Sequence, residues 1–229
     1  MKRLLFLPVL ACLPLLAACA PQAPQTPPDL APLKPVAAPL TCADFFPHGD
    51  WQYVHDIRFQ LASGMGSGSA IGIAVLRGQG IRAALTTVEG LTLFEAQADS
   101  KGEIEVMRAL PPFDSPHFAE NLLKDIRLLF IPPLGLVRQG QLADRARVCR
   151  YETANGATAD LMETKDGCWR LQTYNTDPSR NRSVRAWACE YTSESGLMPS
   201  QMELLAPGAR GYTLNLRLIS AERLDVTTP

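Results

Sequence analysis

Residues 71–97 read IGIAVLRGQGIRAALTTVEGLTLFEAQ, the middle of a pattern that spans Ala70 to Leu76, Ile81 to Thr87 and Leu91 to Ala98. These three short runs are separated only by Gly78-Gln79-Gly80 and by Glu89-Gly90. Runs of this length with β-branched or aromatic content and partial alternation are strands, and turns so tight make chain neighbours pair antiparallel. The pattern extends to both sides. Ile57 to Leu61 precedes it across Gly64 to Gly68, and Glu103 to Arg108 follows it across Asp99 to Gly102. The spacing predicts a meander within one large sheet or open barrel.

A helix interrupts the strands. Ser115 is the expected N-cap and Pro116 the first helical residue. Phe118, Leu122, Leu123, Ile126 and Phe130 then recur at helical spacing until Pro132-Pro133 stops the run. A helix with one apolar face must bury it, most simply across the concave side of the sheet. More strands follow, with Asn155-Gly156 and Asp166-Gly167 as hairpin signals. Near the end Tyr212, Leu214, Leu216 and Leu218 alternate with Thr213, Asn215 and Arg217, which describes a half-buried strand. The fold class is therefore mainly β with few helices.

At the N-terminus Lys2 and Arg3 precede an apolar run from Leu4 to Ala18, too short to span a bilayer and shaped like a secretory signal peptide. Its ending, Leu16-Ala17-Ala18-Cys19, resembles the lipobox of bacterial lipoproteins. The resemblance implies removal of residues 1–18, acylation of Cys19 and stable anchoring in a membrane. From Ala20 to Leu40 the chain carries Pro at 21, 24, 27, 28, 32, 35 and 39. Residues 19–40 are thus expected to be an acylated cysteine and a solvated, extended tether with a reach of ~60 Å. In enterobacterial lipoproteins Asp after the acylated Cys retains the protein in the inner membrane. Ala20 therefore points to the periplasmic leaflet of the outer membrane. Residues 41–229 are the length of one domain.

Without Lys2 and Arg3 the chain holds 20 basic against 23 acidic residues, and no basic block stands among aromatics, so nucleic acid is not an expected partner. Once Cys12 is cleaved off and Cys19 acylated, Cys42, Cys149, Cys168 and Cys189 remain. In an oxidising compartment these predict two disulfides, with three possible pairings. Cys168 and Cys189 flank what reads as a hairpin around Asn175 to Arg182, which favours that pair and leaves Cys42 for Cys149. Zinc is the rival use of four cysteines, but no CxxC spacing occurs. His48, His55 and His117 sit in unrelated contexts and are expected at the surface or at caps. Gly64 to Ser69 lacks the Lys of a phosphate loop, and no GxSxG elbow exists. The sequence predicts no metal, no cofactor and no enzyme.

The 71–97 run, the helix after Leu110-Pro111-Pro112-Phe113-Asp114, and GYTLNLRLI at 211–219 together resemble the LolA/LolB superfamily, and more narrowly LolB-like outer-membrane lipoproteins. The resemblance covers about 50–137 and 198–224. Residues 145–195, with three of the four cysteines, read as an elaboration. The likeness implies an unclosed antiparallel β-barrel around an apolar cavity, with a helix lid over the concave side. It implies a lipid or acylated ligand in that cavity, lined at the entrance by Phe118, Leu122, Leu123, Ile126 and Phe130. It also implies a membrane-contact loop, whose matching position is Val88 before Glu89-Gly90. The alternative role is a scaffold that binds a protein partner in the envelope.

Overall fold

Trp51, Tyr53, His55, Ile57 and Phe59 fall on one face of a single strand, because side chains alternate along an extended chain. This first strand, β1, therefore runs over Trp51–Leu61, six residues earlier than the apolar pattern alone indicates. The computed structural model describes residues 26–33, 41–62, 66–144, 146–153 and 156–224. The expected signal peptide, Cys19 and most of the tether lie outside the described residues. The strands that follow are β2 (Ser67–Arg77), β3 (Gly80–Thr86), β4 (Thr92–Ala98), β5 (Ile104–Ala109), β6 (Leu136–Gln141) and β7 (Arg147–Glu152). They continue as β8 (Thr158–Glu163), β9 (Trp169–Tyr174), β10 (Ser183–Thr192), β11 (Gly196–Ala206) and β12 (Tyr212–Arg223). The one α-helix among the described residues, α1, spans Phe118–Phe130 between β5 and β6.

All twelve strands belong to one sheet in the order β5-β4-β3-β2-β1-β12-β11-β10-β9-β8-β7-β6. Every chain neighbour pairs antiparallel except β5 and β6, where α1 intervenes, and β12 returns to pair with β1. Strand twist curls so wide a sheet, and the missing β5–β6 ladder leaves it an unclosed barrel. The stretch 145–195, expected as an elaboration, supplies β7 to β10 of this sheet.

Two inserts fill the concave side. α1 covers the β1–β5 half, while Phe45 and Phe46, carried by a short 3-10 turn at Ala43–Phe45, plug the other half beside Trp169. The plug is held by a disulfide from Cys42 to Cys149 with Cα atoms 5.8 Å apart, and by Tyr151, whose hydroxyl donates to the Cys42 carbonyl at 3.2 Å. A second disulfide joins Cys168 to Cys189 at 5.5 Å, stapling β9 to β10.

Part of the proline-rich stretch is not a solvated spacer. Ala31 exchanges two backbone hydrogen bonds with Gln141 on the free edge of β6, at 3.0 and 2.9 Å. Pro28 lies on the outer face, where its carbonyl accepts from Arg150 at 2.6 Å. Arg150 also forms a two-pronged pair with Asp160, both bonds 2.6 Å, and Asp160 is 0% exposed. Cys42 is on the inner face. Pro28 is thus outside the sheet and Cys42 inside it, and Ala31 covers part of an otherwise unpaired edge at β6.

Candidate functional site

The helix begins at Phe118, two residues later than its sequence signals indicate, with His117 at the cap and Ser115 in the turn before it. Leu123, Ile126, Leu129 and Phe130 are buried against the sheet, and Phe118 and Leu122 are half-buried on the same side. All five apolar positions picked out from the sequence thus face the concave floor. Phe118 meets Phe94 edge-on at 5.0 Å, and Phe130 stacks on Tyr53 at 4.8 Å. Such ring contacts add to the burial of their apolar area.

The same face carries a carboxylate. Asp125 is buried, and its two oxygens are taken by Arg182 Nε at 2.9 Å and by the Tyr212 hydroxyl. Burial pushes the Asp125 carboxyl above its usual range, with Arg182 and Tyr212 opposing the shift. Tyr212 is pushed up in turn by burial and by the neighbouring carboxylate. At the same helix, Arg127 donates to the side chain and carbonyl of Gln79 in the β2–β3 turn, both at 2.9 Å. α1 is therefore fastened by a few polar ties and by apolar contact, with no strand pairing.

Between helix and floor is a small apolar cavity of about 40 Å³, lined by His55, Ile57, Gly72, Leu85, Ile126 and Leu214 among others. That is close to the space of a single water, ~30 Å³ in the liquid. This is far smaller than the cavity that the family resemblance implies. A larger hollow of about 740 Å³ lies on the outer face, lined by Gln52, Val75, Arg82, Gln97 and Glu105 among others. Arg82 is paired with Glu95, and Gln97 donates to Glu105. It is an open groove of a twisted sheet rather than a built site.

His55 departs most from expectation. Placed at the surface by its polar neighbours, it is only 3% exposed, because it continues the inner row of Trp51 and Tyr53. The signal was that alternation. Opposite it β12 carries a bulge, with Val54 paired to Ser220 but His55 to Leu218. On the other side Gly72 faces His55 and contributes no side chain. His55 makes ring contacts with Tyr53 and Phe130. Burial pushes its pKa down to about 4. The unfolded chain therefore takes up a proton near pH 6.5 that the folded chain refuses until about pH 4, and stability falls as the pH drops through that window. The expected loss by pH 4 is about 3 kcal/mol relative to neutral pH. Asp125, with its raised carboxyl, works in the opposite sense and offsets part of it. Comparing pH-dependent unfolding of the wild type with His55→Phe isolates the histidine: as the pH falls from 7 to 4 the wild type should lose about 3 kcal/mol relative to the variant, and parallel curves would refute the assignment.

The other sequence-selected positions stand apart from the cavity. Val88 is at the tip of the β3–β4 turn and 78% exposed, next to Glu89 and the exposed Leu91. His48 and His117 are near Asp44 and Glu120 at 3.6 and 3.8 Å, on the outside of the cavity. Among the described residues no three His, Cys, Asp or Glu side chains gather in a metal-binding group.

The architecture defines a class. A LolA superfamily protein from Nitrosomonas europaea superposes with a TM-score of 0.53 at 10% identity, covering 81% of this chain and 91% of its own. The likeness shows the fold, that of a LolA-type unclosed barrel with a helix. Two further structures are less similar. A putative outer membrane lipoprotein-sorting protein domain from Vibrio parahaemolyticus gives a TM-score of 0.43 at 8% identity, over 79% of this chain and 87% of its own. A DUF1329 family protein from Desulfovibrio piger gives 0.42 at 11%, over 79% and 87%. No protein-family model matches the sequence, and neither does any curated protein.

Proposed function

We propose that this is a lipoprotein of the outer membrane, acylated at Cys19 and facing the periplasm, whose domain binds a lipid or acylated ligand without catalysis. The observation that supports this reading is α1. An amphipathic helix covers an apolar concave floor without strand pairing, its polar ties among the described residues running through Asp125 and Arg127, an arrangement suited to lifting as a unit. A ligand chain would then replace the helix face formed by Phe118, Leu122, Leu123, Ile126 and Phe130. Each Å² of apolar surface so covered is worth about 25 cal/mol. Val88 and Leu91 are proposed to touch the membrane. They share their end of the sheet with the exposed Leu110, Leu134 and Leu136, whereas Gln141 and Ala31 mark the opposite end.

One observation favours a second reading. The interior is filled by Phe45, Phe46 and α1, while Ile104, Val106, Leu136 and Val137 are exposed on the unpaired edges β5 and β6. These edges suit a scaffold that docks a protein partner. The deciding experiment is native mass spectrometry with lipid extraction on the chain secreted as Cys19→Ala into an oxidising periplasm. Phospholipid or fatty acid at near one-to-one ratio supports the carrier. A mass that stays ligand-free after incubation with membrane lipids supports the scaffold. Leu122→Arg, at a half-buried position, should abolish lipid capture in a folded protein. Retained capture would exclude α1 as the lid.

A further inference from the structure

One polar group on the inner face of β1 has no hydrogen-bond partner. The Tyr53 hydroxyl is fully buried and unpaired, and His55, two residues on, lines the small cavity, where its ring meets Tyr53 and Phe130. Buried polar groups are almost always satisfied, and an exception calls for an explanation. Asp125 does not supply it, because both its oxygens are occupied by Arg182 and Tyr212. The two rings are neighbours on one face, and the same side chain, Phe130 at the last turn of α1, covers both at 4.8 and 5.6 Å. Lifting Phe130 uncovers them together. The β12 bulge is directly opposite His55, whereas the missing side chain at Gly72 makes room for Ile57, whose Cδ1 a Cβ there would meet at 2.3 Å.

We infer that Tyr53 and His55 form a hydrogen-bonding subsite for the carbonyl of an ester- or amide-linked acyl ligand. This rests on the lipid-binding reading above and specifies its ligand. A phenol hydroxyl and a neutral imidazole each offer one donor, and a carbonyl oxygen accepts two. A bare alkyl chain would accept from neither. A free fatty acid would bring its charge into an apolar pocket next to Asp125, with no unpaired cation to receive it, since Arg182 is engaged and neutral His55 carries no charge. The neutral carbonyl is the acceptor that fits both the donors and the surrounding apolar floor. The chain then continues along the surface vacated by Ile126 and Leu123.

The test uses the full chain secreted as Cys19→Ala. Its probes are palmitoyl lysophosphatidylglycerol and the hexadecyl ether analogue, which keeps head group and chain length but lacks the carbonyl. The ester should bind about tenfold more tightly than the ether, the worth of two modest hydrogen bonds. Tyr53→Phe and His55→Phe should each reduce that ratio several-fold. Tyr53→Phe removes only an unpaired hydroxyl and should not lower Tm. Equal wild-type affinity for ester and ether would overturn the subsite while leaving the lipid-binding function in place. Binding of neither probe would overturn both. A Tm drop in Tyr53→Phe with an unchanged ratio would mean that the hydroxyl serves the fold through a trapped water, and would overturn the subsite as well.

Discussion

Removing the Cys42–Cys149 disulfide as the double variant Cys42→Ser, Cys149→Ser should lower the unfolding free energy by about 5 kcal/mol. The bridge closes a loop of 107 residues, and a loop of that size stabilises chiefly by restricting the unfolded chain, at the upper end of what one disulfide contributes. Cys168–Cys189 closes only 21 residues and should contribute less, about 3 kcal/mol. The order matters as much as the size. Cys42 also fixes the turn that carries Phe45 and Phe46, so the larger loss should come with loosening of the plug around Trp169. Denaturant unfolding of both double variants, with tryptophan fluorescence as one probe, measures the two losses. A Cys168/Cys189 variant less stable than the Cys42/Cys149 variant would contradict the loop-entropy account.

Arg182→Met should cost about 3 kcal/mol and selectively loosen α1. The substitution keeps most of the apolar stem but leaves Asp125 with a buried carboxylate and only the Tyr212 hydroxyl as partner. Much of this cost is the penalty of an unpaired charge. Adding Asp125→Leu removes that charge and should restore a large part of the stability, a non-additivity that a double-mutant cycle measures. The pH dependence has a definite sign. Burial already raises the Asp125 carboxyl, and loss of Arg182 removes the leading opposing influence. The folded variant should therefore bind a proton more readily than its unfolded form, and its deficit should shrink as the pH falls toward the carboxylate range. Amide exchange over 118–130 should accelerate more than over β1. Uniform acceleration across the sheet would show that Arg182 stabilises the whole domain and does not latch the helix.

Strands were legible wherever local alternation and glycine turns coincide, as in the three runs around residues 71–97, and the five apolar helix positions follow from spacing alone. The start of β1 was not, because Gln52, His55 and Asp56 dilute the apolar signal of Trp51 and Tyr53. Asp125 was hidden among five apolar neighbours on the same helix: its buried partners, Arg182 and Tyr212, are 57 and 87 residues away. The Arg150–Asp160 pair depends on the register between β7 and β8, which turn signals alone do not specify. The plug at 43–46 is too short for any periodicity. Polar partners across strands are a property of the assembled sheet, whereas burial patterns are a property of each segment.

The hold of Arg150 on Pro28 shortens the leash of the domain. With the acyl group at Cys19, as proposed, nine residues separate the lipid from the point where Pro28 is held by Arg150. At ~3.1 Å per residue that is at most ~28 Å of slack, about half of what the whole proline-rich stretch would provide. Under that proposal the domain would stay in a shallow zone above its own leaflet, and a ligand would reach it at that surface.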